Sequence, residues 1–299
     1  MIDEFKNVFQ RHNNAHIQLI VINTIFFVVM AVLNVVASLS KNDDIFYSIV
    51  RQIALSPSFS VFIQKPWTII THAFIHNFTD IFHLFFNMLI FYWVAKIFIE
   101  YLGSDKLLEV YILGVLAGAL LLLITHNTIP YYIERNGGLA LGASAAVNAL
   151  LVATATLLPD YTIFLLLIGP VRLKYVALFY VIASFAASVG GNPGGNVAHL
   201  GGALMGYVYV KQLQVGVNWG GWITLTLDWF KGLFTPSTKV KVSYRKAGSE
   251  KSTSRPKSST QFTKTSQQEI DSILDKISEK GYESLTKEEK EKLFNASKK

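Results

Sequence analysis

Six apolar segments follow one another between residues 17 and 211, at about 17–38, 81–99, 107–125, 143–158, 174–189 and 197–211. Crossing roughly 30 Å of hydrocarbon takes roughly 20 mostly apolar residues, fewer beside a polar cavity. The first three segments meet that length, and the last three are shorter and interrupted by small or polar side chains. With 51% hydrophobic and only 16% charged residues, the chain lacks the polar surface that a soluble domain of this size needs, where about 25% charged is usual. The reading is an all-α membrane protein with six spans, and disordered, collagen-like and disulfide-stapled classes fall away. With no cysteine in the chain, thiolate nucleophiles and Cys-based metal sites are excluded. The first apolar run is too long for a cleaved signal peptide and lacks the small-residue cleavage pattern of one.

The net charge of +7 suggests nucleic acid until it is divided along the chain. Residues 1–230 hold 11 Lys/Arg and 11 Asp/Glu, and residues 231–299 hold 16 and 9. The excess belongs to the tail, so no nucleic-acid partner is expected. Lys6 and Arg11 precede the first span, Lys106 follows the second, and Arg172 and Lys174 separate the fourth and fifth. By the positive-inside rule both termini are cytoplasmic. The loop of residues 39–80 contains apolar pieces (45–55 and 59–63) too short to span, which belong in the outer interface.

Polar side chains inside spans are costly, at about 2.5–3.5 kcal/mol each on insertion scales. The most costly ones fall on the second span (His83, Asn87), the fourth (Ser144, Asn148) and the sixth (His199). All three spans run the same way, so depth is a residue count to the inner end. Asn87 lies 13 residues from Glu100, Ser144 lies 15 from Pro159, and His199 lies 12 from Lys211. At 1.5 Å per residue the three share one depth, about 18–23 Å above the inner boundary. His83 and Asn87 face the same way on their helix. Ser144 opens its span behind Gly142-Ala143, where unpaired N–H groups and the helix dipole favour a developing oxyanion. His199 begins His199-x-x-Gly202-x-x-x-Gly206, a small-residue stripe that allows close helix packing. The Gly-rich loop 190–195 lies just outside His199 and is read as a mobile cap. Gly114 and Gly118 are read as packing residues. His72, His76 and His83 lack the pattern of a metal site, and neither a metal nor a cofactor is expected.

Pro66-Trp67 with Thr68, His72 to His76, His83-x-x-x-Asn87-Met88, Gly142-x-Ser144 and Ala198-His199-x-x-Gly202, in this order over six spans, resemble the rhomboid intramembrane serine proteases. The resemblance covers about residues 14–213. It implies a rhomboid-like six-helix bundle, a multi-pass protein of a bacterial-type cell membrane, and a Ser-His dyad carried onto Ser144 and His199. It further implies oxyanion stabilisation by His83 and Asn87, with Gly142, Asn148 and Gly202 in support. The chain departs from the family pattern in three places. Ala145 replaces a glycine, Asn148 stands where an aromatic commonly lies under the histidine, and a Trp-Arg motif is missing from the first loop.

The implied reaction is hydrolysis of peptide bonds in or near transmembrane helices, with membrane-protein substrates and the bilayer as partners. A second reading is a catalytically inactive rhomboid-like protein that binds transmembrane helices as a chaperone or degradation adaptor, although such proteins typically lose the dyad. A transporter is the third reading, but it would want paired charges inside the spans.

Beyond the core, Trp219, Trp222 and Trp229 mark residues 214–234 as an interfacial aromatic segment. Residues 235–267, rich in Ser, Thr and Lys, read as a flexible basic linker. Residues 268–299 read as a small helical hairpin, broken at Gly281 and restarted by a Thr286/Glu289 capping box, that either docks on an unknown protein partner or stays only partly folded.

Overall fold

The computed structural model describes residues 13–135, 137–165, 168–234 and 264–296. The chain forms two units, Met1–Thr238 and Lys239–Lys299, and each is described by itself.

The first unit is a helical bundle of the expected six segments. Helix α1 (Ala15–Leu39) is followed by two short loop helices, α2 (Asp43–Ile53) and α3 (Phe59–Gln64). A single turn, α4 (Thr68–Thr71), then leads into a 3₁₀ turn at His72–Phe74. Helix α5 (Ile81–Thr128) is two spans in one run, broken at Gly103, whose φ of 78° only glycine adopts readily. Phe91 meets Tyr111 with ring centroids 5.7 Å apart, so residues 81–102 and 104–128 fold back on one another. After α6 (Pro130–Glu134) come α7 (Ser144–Leu157), α8 (Leu173–Ala187) and α9 (Pro193–Gln214).

Two of these helices, α1 and α5, are long and apolar enough to cross a membrane by length and composition alone, and α7 and α8 are shorter apolar helices. Their exposed side chains are apolar: Val28, Val32, Val35 and Val36 on α1, and Phe179, Ile182 and Phe185 on α8. In water that surface would be untenable; in lipid it is the expected outer face. Helix α7 is the opposite case, alanine-rich and buried on nearly every side.

Small residues set how close the helices come. A Cβ on Gly202 would collide with the Ala145 carbonyl, and one on Gly206 with the Ala149 carbonyl. A Cβ on Gly118 would lie 2.7 Å from the Ala198 carbonyl oxygen, and one on Gly201 2.6 Å from that of Ala117. Gly114 sits equally tightly on Ala146 and Ala149. Backbone therefore packs on backbone where the second half of α5, α7 and α9 meet, the glycine-permitted approach common between membrane helices.

The loop expected in the interface carries α2 and α3 where the apolar pieces lie. Phe46 and Val50 of α2 are buried with Met30 and Ile75, while Ile45 and Tyr47 remain exposed. The strands among the described residues form one antiparallel hairpin, β1 (Thr162–Leu165) with β2 (Gly169–Arg172), pairing Thr162 with Arg172. Arg172 and Lys174 both reach Asp160, at 3.2 and 2.7 Å. The aromatic segment becomes α10 (Gly221–Phe234).

In the second unit, α11 (Lys264–Lys280) ends at Gly281, whose φ is 79°, and α12 (Lys287–Ala296) follows. The capping box is present: Thr286 N–H donates to Glu289 Oε2 at 2.8 Å, and Glu289 N–H to Thr286 Oγ1 at 3.3 Å. The hairpin starts earlier than the expected residue 268, because neither glycine nor proline interrupts the chain just ahead of it. The expected linker therefore ends by residue 263, and residues 235–263 lie outside the described residues.

Candidate active site

The glycine contacts fix the register between α7 and α9. With Gly202 seated on Ala145 and Gly206 on Ala149, His199 lies one turn nearer the start of α9 and falls beside Ser144. Ser144 Oγ is 2.8 Å from His199 Nε2. The two residues are 55 positions apart in sequence, and the match of depth becomes a direct hydrogen bond. For Nε2 to accept the hydroxyl proton, the imidazole proton must sit on Nδ1.

Sequence reasoning missed the partner at that second nitrogen. Ser184 Oγ, on α8, lies 3.5 Å from His199 Nδ1, and Ser184 is buried. A serine among small residues in an apolar span carries no distinguishing signal, so only the helix contacts could find it. Asn148, expected in support of the histidine, instead donates from Nδ2 to the Ser144 carbonyl one turn back, at 2.9 Å.

Ser144 is the first residue of α7, and no side chain caps the helix start. The first backbone bond of the helix runs from Val147 N–H to the Ala143 carbonyl at 3.0 Å. The N–H groups of Ser144, Ala145 and Ala146 therefore precede the ladder, as helix geometry requires. Gly142, with φ of 117°, makes the turn into the helix, and a Cβ there would lie 3.3 Å from His83 Cε1 and 3.8 Å from Ser144 Oγ. That opening lets the His83 ring approach the serine. His83 Nδ1 accepts from the Asn77 N–H at 3.4 Å, which leaves Nε2 as the ring's donor. Asn87 is half-buried one turn further along, where Nδ2 donates to the His83 carbonyl at 2.8 Å with one of its two hydrogens.

The first loop holds this turn in place. Leu55 and Ala140 exchange backbone bonds of 3.0 and 2.8 Å, and Gly142 N–H donates to the His72 carbonyl at 2.9 Å. His72 Nδ1–H donates to the Thr68 carbonyl at 2.8 Å, and Ala143 N–H reaches His76 Nε2 at 3.5 Å. Burial lowers the His72 pKa to about 4. Burial, with repulsion from His83, lowers that of His76 to about 3. Both rings are therefore neutral near pH 7 and act as hydrogen-bonding wedges.

A cavity of about 710 Å³ opens over the serine, lined by His72, His83, Ser144 and the glycine-rich stretches around residues 137–142 and 190–195. Loop 190–195, read as a cap from sequence, does border this mouth.

A bundle of apolar helices with a polar cavity and a serine–imidazole contact defines an integral membrane protein of the intramembrane-protease-like class. The chain belongs to the rhomboid family: the family model described as Rhomboid domain matches residues 64–214, about half of the chain. A second model, a family of unknown function (DUF6576), matches residues 263–299. The chain is similar to RHOMBOID-like protein 12, mitochondrial, of Arabidopsis thaliana, 30% identical over 159 residues. The alignment covers 50% of this chain and 47% of that relative, so the chain spans about half of the relative's length.

Proposed function

We propose that the protein is a serine endopeptidase that cleaves peptide bonds in or near transmembrane helices, using Ser144 as nucleophile and His199 as general base. The observation that carries this reading is the 2.8 Å contact between His199 Nε2 and the Oγ of Ser144, a residue that lines the cavity.

His199 takes the hydroxyl proton as Ser144 Oγ attacks the scissile carbonyl, then returns it to the departing amine. The oxyanion is bound by backbone N–H groups at the start of α7 and by His83, with Asn87 adding its second amide hydrogen. Donors of this kind contribute about 2.7–4 kcal/mol each in a serine protease. Among the described residues no acidic side chain bonds the His199 ring, and the Ser184 hydroxyl, accepting from Nδ1–H, holds the tautomer instead. Water for deacylation enters through the cavity mouth. The substrate is a membrane helix that unwinds locally, because an intact helix keeps its carbonyls in hydrogen bonds.

The start of α1 lies at the end of the bundle away from the mouth, since Ala15 N–H donates to Ser104 Oγ beside the Gly103 turn, and the last turns of α9 reach the same end, where Tyr209 O–H donates to Glu109. With Lys106, Arg172, Lys174 and Lys211 at that same end, it is the cytoplasmic side of a bacterial-type cell membrane, and the cavity opens outward.

The test is cleavage of a single-span substrate by purified protein in lipid vesicles. Ser144→Ala and His199→Ala each abolish cleavage with normal insertion, and the double variant is no worse than either single, because the pair acts as one unit. Cleavage by Ser144→Ala at more than a few per cent of the wild-type rate would exclude this mechanism. Stable substrate capture without cleavage by the wild type would identify the helix-binding adaptor instead.

A further inference from the structure

Helix α10 is 14 residues long, about 21 Å at 1.5 Å per residue, too short to cross a bilayer. It also carries Asp228 and Lys231, paired at 2.9 Å. Its two long faces differ. One packs on the bundle: Ile223 is buried and Leu227 rests against the same core. The other presents Trp222, Leu225, Trp229 and Leu233, each more than half exposed. Their spacing of three, four and four residues makes one unbroken apolar stripe. Two further exposed apolar residues, Val215 and Val217, lie in the short connection between α9 and α10.

A buried carboxyl group ties the helix to the bundle. Glu109, at the end of the bundle away from the cavity, is fully buried. It accepts from Tyr209 O–H on α9 at 2.6 Å and from Lys106 Nζ at 3.0 Å. From the α10 side it accepts from Asn218 Nδ2 at 3.4 Å and from Thr224 Oγ1 at 3.3 Å. Gly220 lies directly on the Glu109 side chain, where a Cβ would collide with it. One carboxyl group thus gathers two membrane helices and the start of α10, an arrangement that leaves the buried acid fully partnered.

We infer that α10 lies flat in the headgroup region of the leaflet opposite the cavity mouth, with its Trp222–Leu233 stripe in the acyl boundary, and that the Glu109 cluster clamps it to the bundle. A lipid surface is the fitting occupant for three reasons. The helix follows a membrane helix after only six residues, the connection between them is itself exposed and apolar at Val215 and Val217, and indole rings settle at the headgroup depth. This inference stands apart from the proposed proteolysis.

Bromine-labelled lipids test it in the full-length protein. Of the five tryptophans, one variant keeps only Trp229 and another only Trp93, which is exposed on the first half of α5; the rest become Phe. Trp229 fluorescence is quenched at least twofold more by bromines near the headgroup than by bromines deep in the chain, whereas Trp93 is quenched by deep bromines. A Trp229 untouched by any bromolipid would overturn the membrane placement. So would near-complete disulfide capture of a second copy through Leu225→Cys, which would make the stripe a dimer surface. For the clamp, combined Asn218→Ala and Thr224→Val leaves the Glu109–Tyr209 bond in place and raises amide exchange of residues 221–227 at least tenfold. Unchanged exchange would overturn the clamp.

Discussion

Ser184 Oγ lies 3.5 Å from Nδ1 of His199, while Ser144 Oγ lies 2.8 Å from Nε2 of the same ring. The imidazole is thus held from two sides by hydroxyls on two different helices. A single hydrogen bond of this kind contributes about 0.5–1.5 kcal/mol, enough to bias a tautomer but far from the contribution of a buried carboxylate.

Ser184→Ala is expected to lower kcat about tenfold with KM nearly unchanged, since the substrate does not touch it and only the base is misplaced. Ser184→Thr keeps the hydroxyl and should recover most of the rate. A change in KM alone, or no recovery with threonine, would make Ser184 a packing residue.

The proposed oxyanion donors should separate by their starting geometry. The His83 ring lies against the Gly142 turn with Nε2 as its donor, whereas Asn87 shares its amide with its own helix. Asn87→Ala is expected to reduce turnover about 10²–10³-fold and binding less, and His83→Ala to cost at least as much. Equal loss in substrate affinity with no loss in rate would reduce both to interhelical contacts.

The seam between α7 and α9 should tolerate no side chain. Gly202→Val or Gly206→Val drives a branched side chain into a backbone carbonyl that cannot rotate away, and overpacking of this kind costs about 3 kcal/mol or more. Loss of folded protein in detergent is the expected readout. Gly232→Ala, where nothing lies within 4 Å, is the matched control and should fold normally. A stable Gly202→Val protein with full activity would show that the register is held elsewhere.

Acid should loosen the first loop. His72 and His76 titrate at about 4 and about 3 in the folded protein, below the unfolded value of about 6.5. The unfolded chain therefore binds more protons in that interval. The stability these rings contribute is complete above pH 6.5 and is lost as pH falls toward 4 and then 3, at up to about 1.4 kcal/mol per pH unit for each ring. Thermal unfolding in lipid between pH 7 and pH 4 is the measurement. His76→Gln, which keeps an acceptor for the Ala143 N–H but does not titrate, should flatten the slope, and an unchanged slope would place the acid sensitivity outside this loop.

The spans, the break between residues 99 and 107 and the common depth of Asn87, Ser144 and His199 were legible in the sequence, because each follows from local quantities: apolar run length, helical rise, and the cost of a polar group in hydrocarbon. The Thr286/Glu289 box was legible for the same reason, since its bonds close within three residues. Other features depended on which faces meet. Asn148 was named in support from its place in the motif alone, and its amide turns back to the Ser144 carbonyl, because a helical carbonyl one turn away competes with any partner across the interface. Ser184 and Glu109 gave no sequence signal at all. Glu109 looks like an ordinary charge at a span end until Tyr209, Asn218 and Thr224 close around it. Sequence alone determined how deep each polar group lies, since depth is counted along one helix. Tertiary structure alone decided which groups face each other, since helix rotation and register are settled by backbone contacts such as Gly202 on Ala145, between residues dozens of positions apart.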